Sequence, residues 1–134
     1  MAVDLAPALE ILRRELPGLV GVYLFGSVAD GSDRPDSDVD LAFYASLPVD
    51  RMRVLDLQEA LANALKRDVD LIDLATASTI VQAQAIGEGR LVDSTDADAI
   101  GFFEVRIMRE YQKLRMRRAD IEADIVERGR VYAG

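Results

Sequence analysis

The feature that most constrains the fold is an apolar run, Leu19-Val20-Gly21-Val22-Tyr23-Leu24-Phe25, that stops at Gly26-Ser27 and is followed, after ten intervening residues, by Asp38-Val39-Asp40-Leu41. A short apolar run closed by glycine reads as a buried strand meeting a tight turn. The second segment has the two-residue period of a strand, with Asp38 and Asp40 on one side and Val39, Leu41 and Phe43 on the other. Side chains two apart on a strand stand about 7 Å apart at the backbone, near enough for both carboxylates to reach one or two divalent ions. Two such ions, about 3.5–4 Å apart, can clamp the attacking and leaving oxygens of an in-line displacement. Gly26 lets a ligand approach the backbone, and Ser27, if it opens a helical turn, adds a hydroxyl and free N–H groups suited to a phosphate.

Other readings of the same residues fail on spacing. Asp36, Asp38 and Asp40 imitate the first ligands of a calcium loop, but the sixth and twelfth positions are Leu41 and Leu47 instead of glycine and glutamate. No Gly-Lys-Ser/Thr makes a P-loop, and no G-x-G-x-x-G makes a dinucleotide fold. A solvated acidic turn remains the bland alternative for the aspartate pair. Against it stands Asp68-Val69-Asp70-Leu71-Ile72-Asp73-Leu74, a further core strand by its apolar and β-branched content. Asp68 fits the preceding turn and Asp73 a turn or cap. Asp70, between Val69 and Leu71, is costly in a core strand unless it is paired or binds a cation.

The elements alternate along the chain. Asp4 caps a first helix carrying Leu5, Leu9, Leu12 and Leu16 and ended by Pro17-Gly18. After the first strand, the loop from Asp30 to Asp36 and the carboxylate strand, Pro48 and Asp50 announce a second helix with Met52, Leu55, Leu61 and Leu65 on one side. A third helix spans Ser78 to Ile86, closed by Gly87 or Gly89, and Arg90 to Val92 is a short fourth strand. From about Asp98 to Glu127 an amphipathic stripe of Ile100, Phe103, Ile107, Tyr111, Leu114, Ile121 and Ile125 predicts one long helix, interrupted at Arg118 and open to one break. Phe102, Val105 and Met108 suggest that its first half docks on the sheet; its later turns suit self-packing or a partner equally. The expected fold is α+β: a mixed sheet of about four strands with flanking helices and a long C-terminal helix, one domain over 1–134 with a catalytic core at 1–97 and the helix at 98–134.

Composition narrows the chemistry. Without cysteine there is no disulfide, thiolate metal site or cysteine nucleophile, and without histidine no Ser-His-Asp triad. Acid, base and metal chemistry fall to carboxylates. No apolar stretch approaches the roughly 20 residues that cross a bilayer, and no signal peptide is evident, so a cytoplasmic protein without membrane contact is expected. Residues 1–100 hold eighteen acidic and eight basic side chains, whereas 101–134 hold six and eight, so the net charge of −8 arises in the core. Such an acidic surface argues against direct nucleic-acid binding. Arg106, Arg109, Lys113, Arg115, Arg117 and Arg118 form a local basic cluster, read as a solvated helix face in preference to a contact for an acidic partner.

The string Gly26-Ser27-x10-Asp38-x-Asp40-Leu41, followed by Val69-Asp70-Leu71-Ile72-Asp73-Leu74, resembles the nucleotidyltransferase superfamily of the DNA polymerase β type, and within it the minimal nucleotidyltransferases of MntA-type antitoxins paired with HEPN-domain ribonuclease toxins. The likeness extends to the Ile86-Gly87-Glu88-Gly89-Arg90-Leu91-Val92 segment and the tail Phe102-Phe103-Glu104-Val105-Arg106 with Tyr111. It implies that Gly26 and Ser27 hold the triphosphate, that Asp38 and Asp40 ligate magnesium, and that Asp70 is the third catalytic carboxylate and metal ligand. The implied reaction is transfer of AMP from ATP, with two Mg²⁺ ions, to a tyrosine hydroxyl of the partner HEPN toxin, with release of pyrophosphate. Asp70 is then the best candidate to take the hydroxyl proton. Arg34, Lys66 and Arg67 are unsupported candidates for the β and γ phosphates. The alternatives are a non-enzymatic binding module that neutralises its partner by masking, and transfer to a small antibiotic hydroxyl, disfavoured because such enzymes usually carry an extra substrate domain.

Overall fold

Both apolar strands and the helical spacings between them resolve into α1 (Ala6–Glu15), β1 (Leu19–Phe25), β2 (Val39–Ala45), α2 (Arg51–Leu65), β3 (Val69–Asp73), α3 (Thr79–Glu88), β4 (Arg90–Ser94) and α4 (Ala97–Ala133). This computed structural model describes residues 3–26, 28, 31, 34 and 37–133, with side chains through residue 126.

The four strands form one sheet in the order β3-β2-β1-β4. β1 is antiparallel to both its neighbours, and β2 and β3 run parallel. The parallel pair follows from α2, which carries the chain back to the starting end of β2 as a crossover helix does. α1 and α2 cover the face bearing Val22, Leu24, Val39, Leu41, Phe43, Val69 and Leu71. α3 and α4 cover the other, where Val20, Tyr23, Ala42 and Leu74 meet Ile100, Phe103 and Ile107. A strand buried on both faces needs no polar alternation, which is why β1 reads as continuously apolar. Val20 and Tyr23 share a face despite their odd separation because the β1–β2 ladder is irregular between Leu19 and Gly21.

Local chemistry fixes the helix ends. Asp50 caps α2 by accepting from the Met52 N–H at 3.0 Å, and Ser78 caps α3 by accepting from Val81 at 3.3 Å. Asp4 serves α1 from one position further out: it accepts from Ala6 at 3.0 Å, while Leu5 occupies the cap itself. Asp73 takes the turn role, accepting from the Ala75 N–H at 3.0 Å. Of the two glycines that could close α3, Gly89 does so. Its N–H donates to the Ala85 carbonyl at 3.1 Å, and a Cβ there would stand 2.2 Å from that oxygen, whereas Gly87 has open space.

Three sequence expectations change. The buried line of α2 is Val54, Leu57, Leu61 and Leu65; Met52 and Leu55 face solvent, 63% and 48% exposed. Both lines satisfy helical spacing, and only the position of the sheet chooses between them. β4 runs to Ser94. The third concerns α4, an unbroken helix of 37 residues and roughly 55 Å. It docks through Ile100, Phe103 and Ile107, with Phe103 stacked on Tyr44 at 3.9 Å between centroids and Glu104 accepting from the Tyr23 hydroxyl at 2.7 Å. Burial, and secondly the Glu104 carboxylate, push the Tyr23 hydroxyl well above its ordinary range. Phe102 and Val105 do not dock; they lie on the helix's outer side, and residues 112–126 are exposed throughout.

α1 is also tied to β4, by a two-pronged contact in which the Arg13 guanidinium donates from Nε to Asp93 Oδ2 at 2.7 Å and from Nη2 to Oδ1. Those bonds hold the Asp93 carboxyl below its ordinary range. A carboxyl depressed by folding stabilises the fold above its unfolded value of about 3.9, and that contribution is lost as pH falls through the folded value. Arg13→Met is therefore expected to melt below wild type at neutral pH, with the two melting curves converging below about pH 4. Calorimetry across pH checks this; a gap that persists unchanged into acid would assign the effect to packing of the arginine stem.

Candidate active site

The loop between β1 and β2 returns the chain so that the antiparallel register sets Asp40 opposite Phe25, beside Gly26. The parallel register sets Asp40 opposite Asp70. Directly paired residues on neighbouring strands project to the same face, so the two carboxylates stand side by side. Asp38 precedes β2 by one residue, on the same side by strand period. Gly26, Asp38, Asp40 and Asp70 thus meet at one end of the sheet, on the side covered further along by α3 and α4. Asp38 and Asp70 are exposed and Asp40 is half-buried. Ser27 lies outside the described residues.

The glycine is needed for a tighter reason than ligand access. Gly26 has φ +77°, and a Cβ built on it would lie 2.2 Å from Asp40 Oδ2 and 3.2 Å from its Cγ. The Asp40 carboxylate occupies the space that any side chain at 26 would fill. Its carboxyl is raised above its ordinary range, by burial first, then by the charges of Asp70 and Asp38.

That repulsion is the test of whether a divalent cation fits. The three side chains offer only hard carboxylate oxygens, the donor type Mg²⁺ takes, and their mutual charge is what a bound cation would offset. Among the described residues no three carboxylates stand drawn together as a finished cage. Like-charged neighbours across a strand pair are expected to hold apart until a cation joins them.

Backbone hydrogen bonds anchor the floor of the site. The Val39 N–H donates to Asp68 O at 2.9 Å, linking the starts of β2 and β3, and the outward N–H of Leu71 donates to Gln58 Oε1 of α2 at 2.9 Å. Gln58 thereby steadies the residue next to Asp70; nothing in the sequence singles it out, because its partner is a backbone group. Of the three basic candidates, Arg34 is exposed, Lys66 is exposed at the C-cap of α2 in the left-handed conformation (φ 55°), and Arg67 is engaged with the loop before Asp38.

Residues 9–98 match the protein family described as Polymerase beta, Nucleotidyltransferase. Over 118 residues, 88% of this chain and 84% of the other, the sequence is 36% identical to the protein adenylyltransferase MntA of Shewanella oneidensis. Among solved structures, the fold is similar to a crystal structure of a toxin–antitoxin with AMP-PNP, with a TM-score of 0.79 and 35% identity, covering 88% of this chain and 94% of that one. A structure of the tri-AMPylated Shewanella oneidensis HEPN toxin in complex with MNT antitoxin matches with a TM-score of 0.72 and 33% identity, over 88% and 92% of the two chains.

Proposed function

Since this chain belongs to the polymerase beta nucleotidyltransferase family and to its MntA adenylyltransferase branch, we propose that it transfers AMP from ATP to a tyrosine hydroxyl of a HEPN-type toxin and so acts as that toxin's antitoxin. The observation that carries the reading is the register Phe25↔Asp40↔Asp70, which gathers a glycine turn and the carboxylates at one strand end. A relative of 36% identity named for protein adenylylation, and a similar structure whose toxin is AMPylated, support the choice of nucleotide and of a protein acceptor. No helix among the described residues is long and apolar enough to cross a membrane, in keeping with a cytoplasmic setting.

Mechanistically, the turn at Gly26 admits the triphosphate against the backbone, with Ser27 as a further phosphate ligand. Asp38, Asp40 and Asp70 would hold Mg²⁺, which when bound would neutralise charge on the triphosphate and on the departing pyrophosphate. The acceptor oxygen attacks the α-phosphorus, the bond from that phosphorus to the bridging oxygen of the β-phosphate breaks, and pyrophosphate leaves. The proton of the acceptor passes to the exposed carboxylate of Asp70, a transfer eased by a tyrosine hydroxyl's ordinary pKa of about 10.

A second reading draws on the uncovered turns of α4, where Leu114, Ile121, Ile125 and Val126 are 38–62% exposed and available to cover a partner. The readings separate by mass. Incubated with ATP, Mg²⁺ and a HEPN-type toxin, wild type is expected to add one or more AMP units to that toxin, and Asp38→Ala/Asp40→Ala none. Neutralisation by the double variant with no mass change would favour masking.

A further inference from the structure

We propose that Arg67 is a positioning residue for the carboxylate pair, holding in place the backbone at Arg34 and Ser37 that leads into Asp38. Its guanidinium lies across the end of the β1–β2 loop. Nε and Nη2 donate to the Ser37 carbonyl at 3.0 and 2.7 Å, and Nη2 also donates to the Arg34 carbonyl at 2.8 Å. Those two residues are also bonded to each other. The Ser37 N–H donates to Arg34 O at 2.9 Å, and the Arg34 N–H donates to Ser37 Oγ at 2.7 Å. The residue after Ser37 is Asp38, and the next, Val39, donates its N–H to the Asp68 carbonyl. Arg67 itself is fixed at its base: its N–H donates to Ala62 O at 3.3 Å, and Lys66 before it takes the left-handed conformation that ends α2.

The arrangement solves a geometric problem. Asp38 lies outside the β2 ladder, so the strand pairing that fixes Asp40 does not reach it. A planar guanidinium bonding two carbonyls at once cross-links the loop to the far end of α2, and charge-assisted bonds are the stronger kind. Lysine offers a single ammonium on a flexible stem and cannot reproduce the fork. Arg67 therefore serves the site through the backbone and need not touch nucleotide.

The role rests on the adenylyltransferase reading only for its catalytic consequence, so the test has two arms. The first is amide hydrogen exchange on the full chain without nucleotide or metal. In Arg67→Met, exchange at Ser37 and Val39 is expected to rise about tenfold or more while Leu41 and Phe43 in the middle of β2 stay at wild-type rates. Uniform acceleration, or none, would overturn the proposal, since the first reports general destabilisation and the second an idle contact. The second arm is AMP transfer to the partner, where Arg67→Met is expected to lower kcat about 10- to 100-fold with a smaller change in KM for ATP, and Arg67→Lys to recover only part of it. Lost transfer with wild-type exchange at Ser37 and Val39 would overturn positioning in favour of direct phosphate contact. If wild type itself transfers nothing, the adenylyltransferase reading fails and the exchange arm still decides the fate of the clamp.

Discussion

Asp40→Asn is expected to give a protein that melts above wild type in chelated buffer and transfers almost no nucleotide. The first half follows from the environment of the carboxyl. Asp40 is half-buried opposite Asp70, and burial, then the Asp70 and Asp38 charges, raise its carboxyl above the ordinary range. A carboxyl whose folded value is raised binds its proton more readily folded than unfolded. At neutral pH its charge therefore works against the fold. That handicap shrinks as pH falls through the raised folded value and is gone below the unfolded value of about 3.9. Asparagine keeps the shape and removes the charge, so a gain on the order of 2–5 °C in Tm is expected near neutral pH, narrowing towards pH 4.

The second half follows from the same charge. If the carboxylates hold Mg²⁺, adding it should raise the Tm of wild type and leave Asp40→Asn nearly unmoved, because only a folded site with its ligands intact gains from binding. Transfer should fall about a thousandfold, on the order of 4 kcal/mol in the barrier. Calorimetry with and without Mg²⁺, beside a mass-based rate assay, reads all three. A variant that melts lower than wild type in chelator would mean that the Asp40 charge is compensated in the fold and that the repulsion argued from Asp38 and Asp70 is not felt.

Much of this was legible in the residues, and the rest was hidden for identifiable reasons. The β1 run, the period of Asp38 to Phe43 and the isolated Asp70 are local patterns, and they suffice for the strands and the mixed sheet and mark the three aspartates as candidates. What they omit is register. That Asp40 faces Asp70 directly, and that its Oδ2 fills the space over Gly26, depends on two strand pairings no local pattern encodes. Helix faces failed where apolar residues occur on two sides at once: Leu55 and Leu57 fit equally good stripes, as do Phe102 and Phe103, and only the sheet's position buries Leu57 and Phe103 while exposing the others. Side chains bonded to backbone groups leave no signature either. Gln58 and Arg67 look like ordinary surface residues of a charged protein until the carbonyls and N–H groups they meet are located.

Gly26→Ala is expected to lose both stability and activity, and the two losses have separable causes. The φ of +77° is strained for any residue with a Cβ, at about 1–2 kcal/mol, which predicts a Tm several degrees lower. The new methyl would also sit 2.2 Å from Asp40 Oδ2, and because a carboxyl can rotate, Asp40 moves in preference to the backbone. If Asp40 acts in the transfer as proposed, a shift of about 1 Å is enough for a loss of about a hundredfold, so kcat should fall by that much or more. Gly31 supplies the control. Its φ is +80°, but nothing lies within 4 Å of where its Cβ would be. Gly31→Ala should therefore show a comparable loss in Tm and near-normal transfer. Should Gly31→Ala lose transfer as Gly26→Ala does, loop strain alone would account for both, and the contact between Gly26 and Asp40 would have no separate role in catalysis.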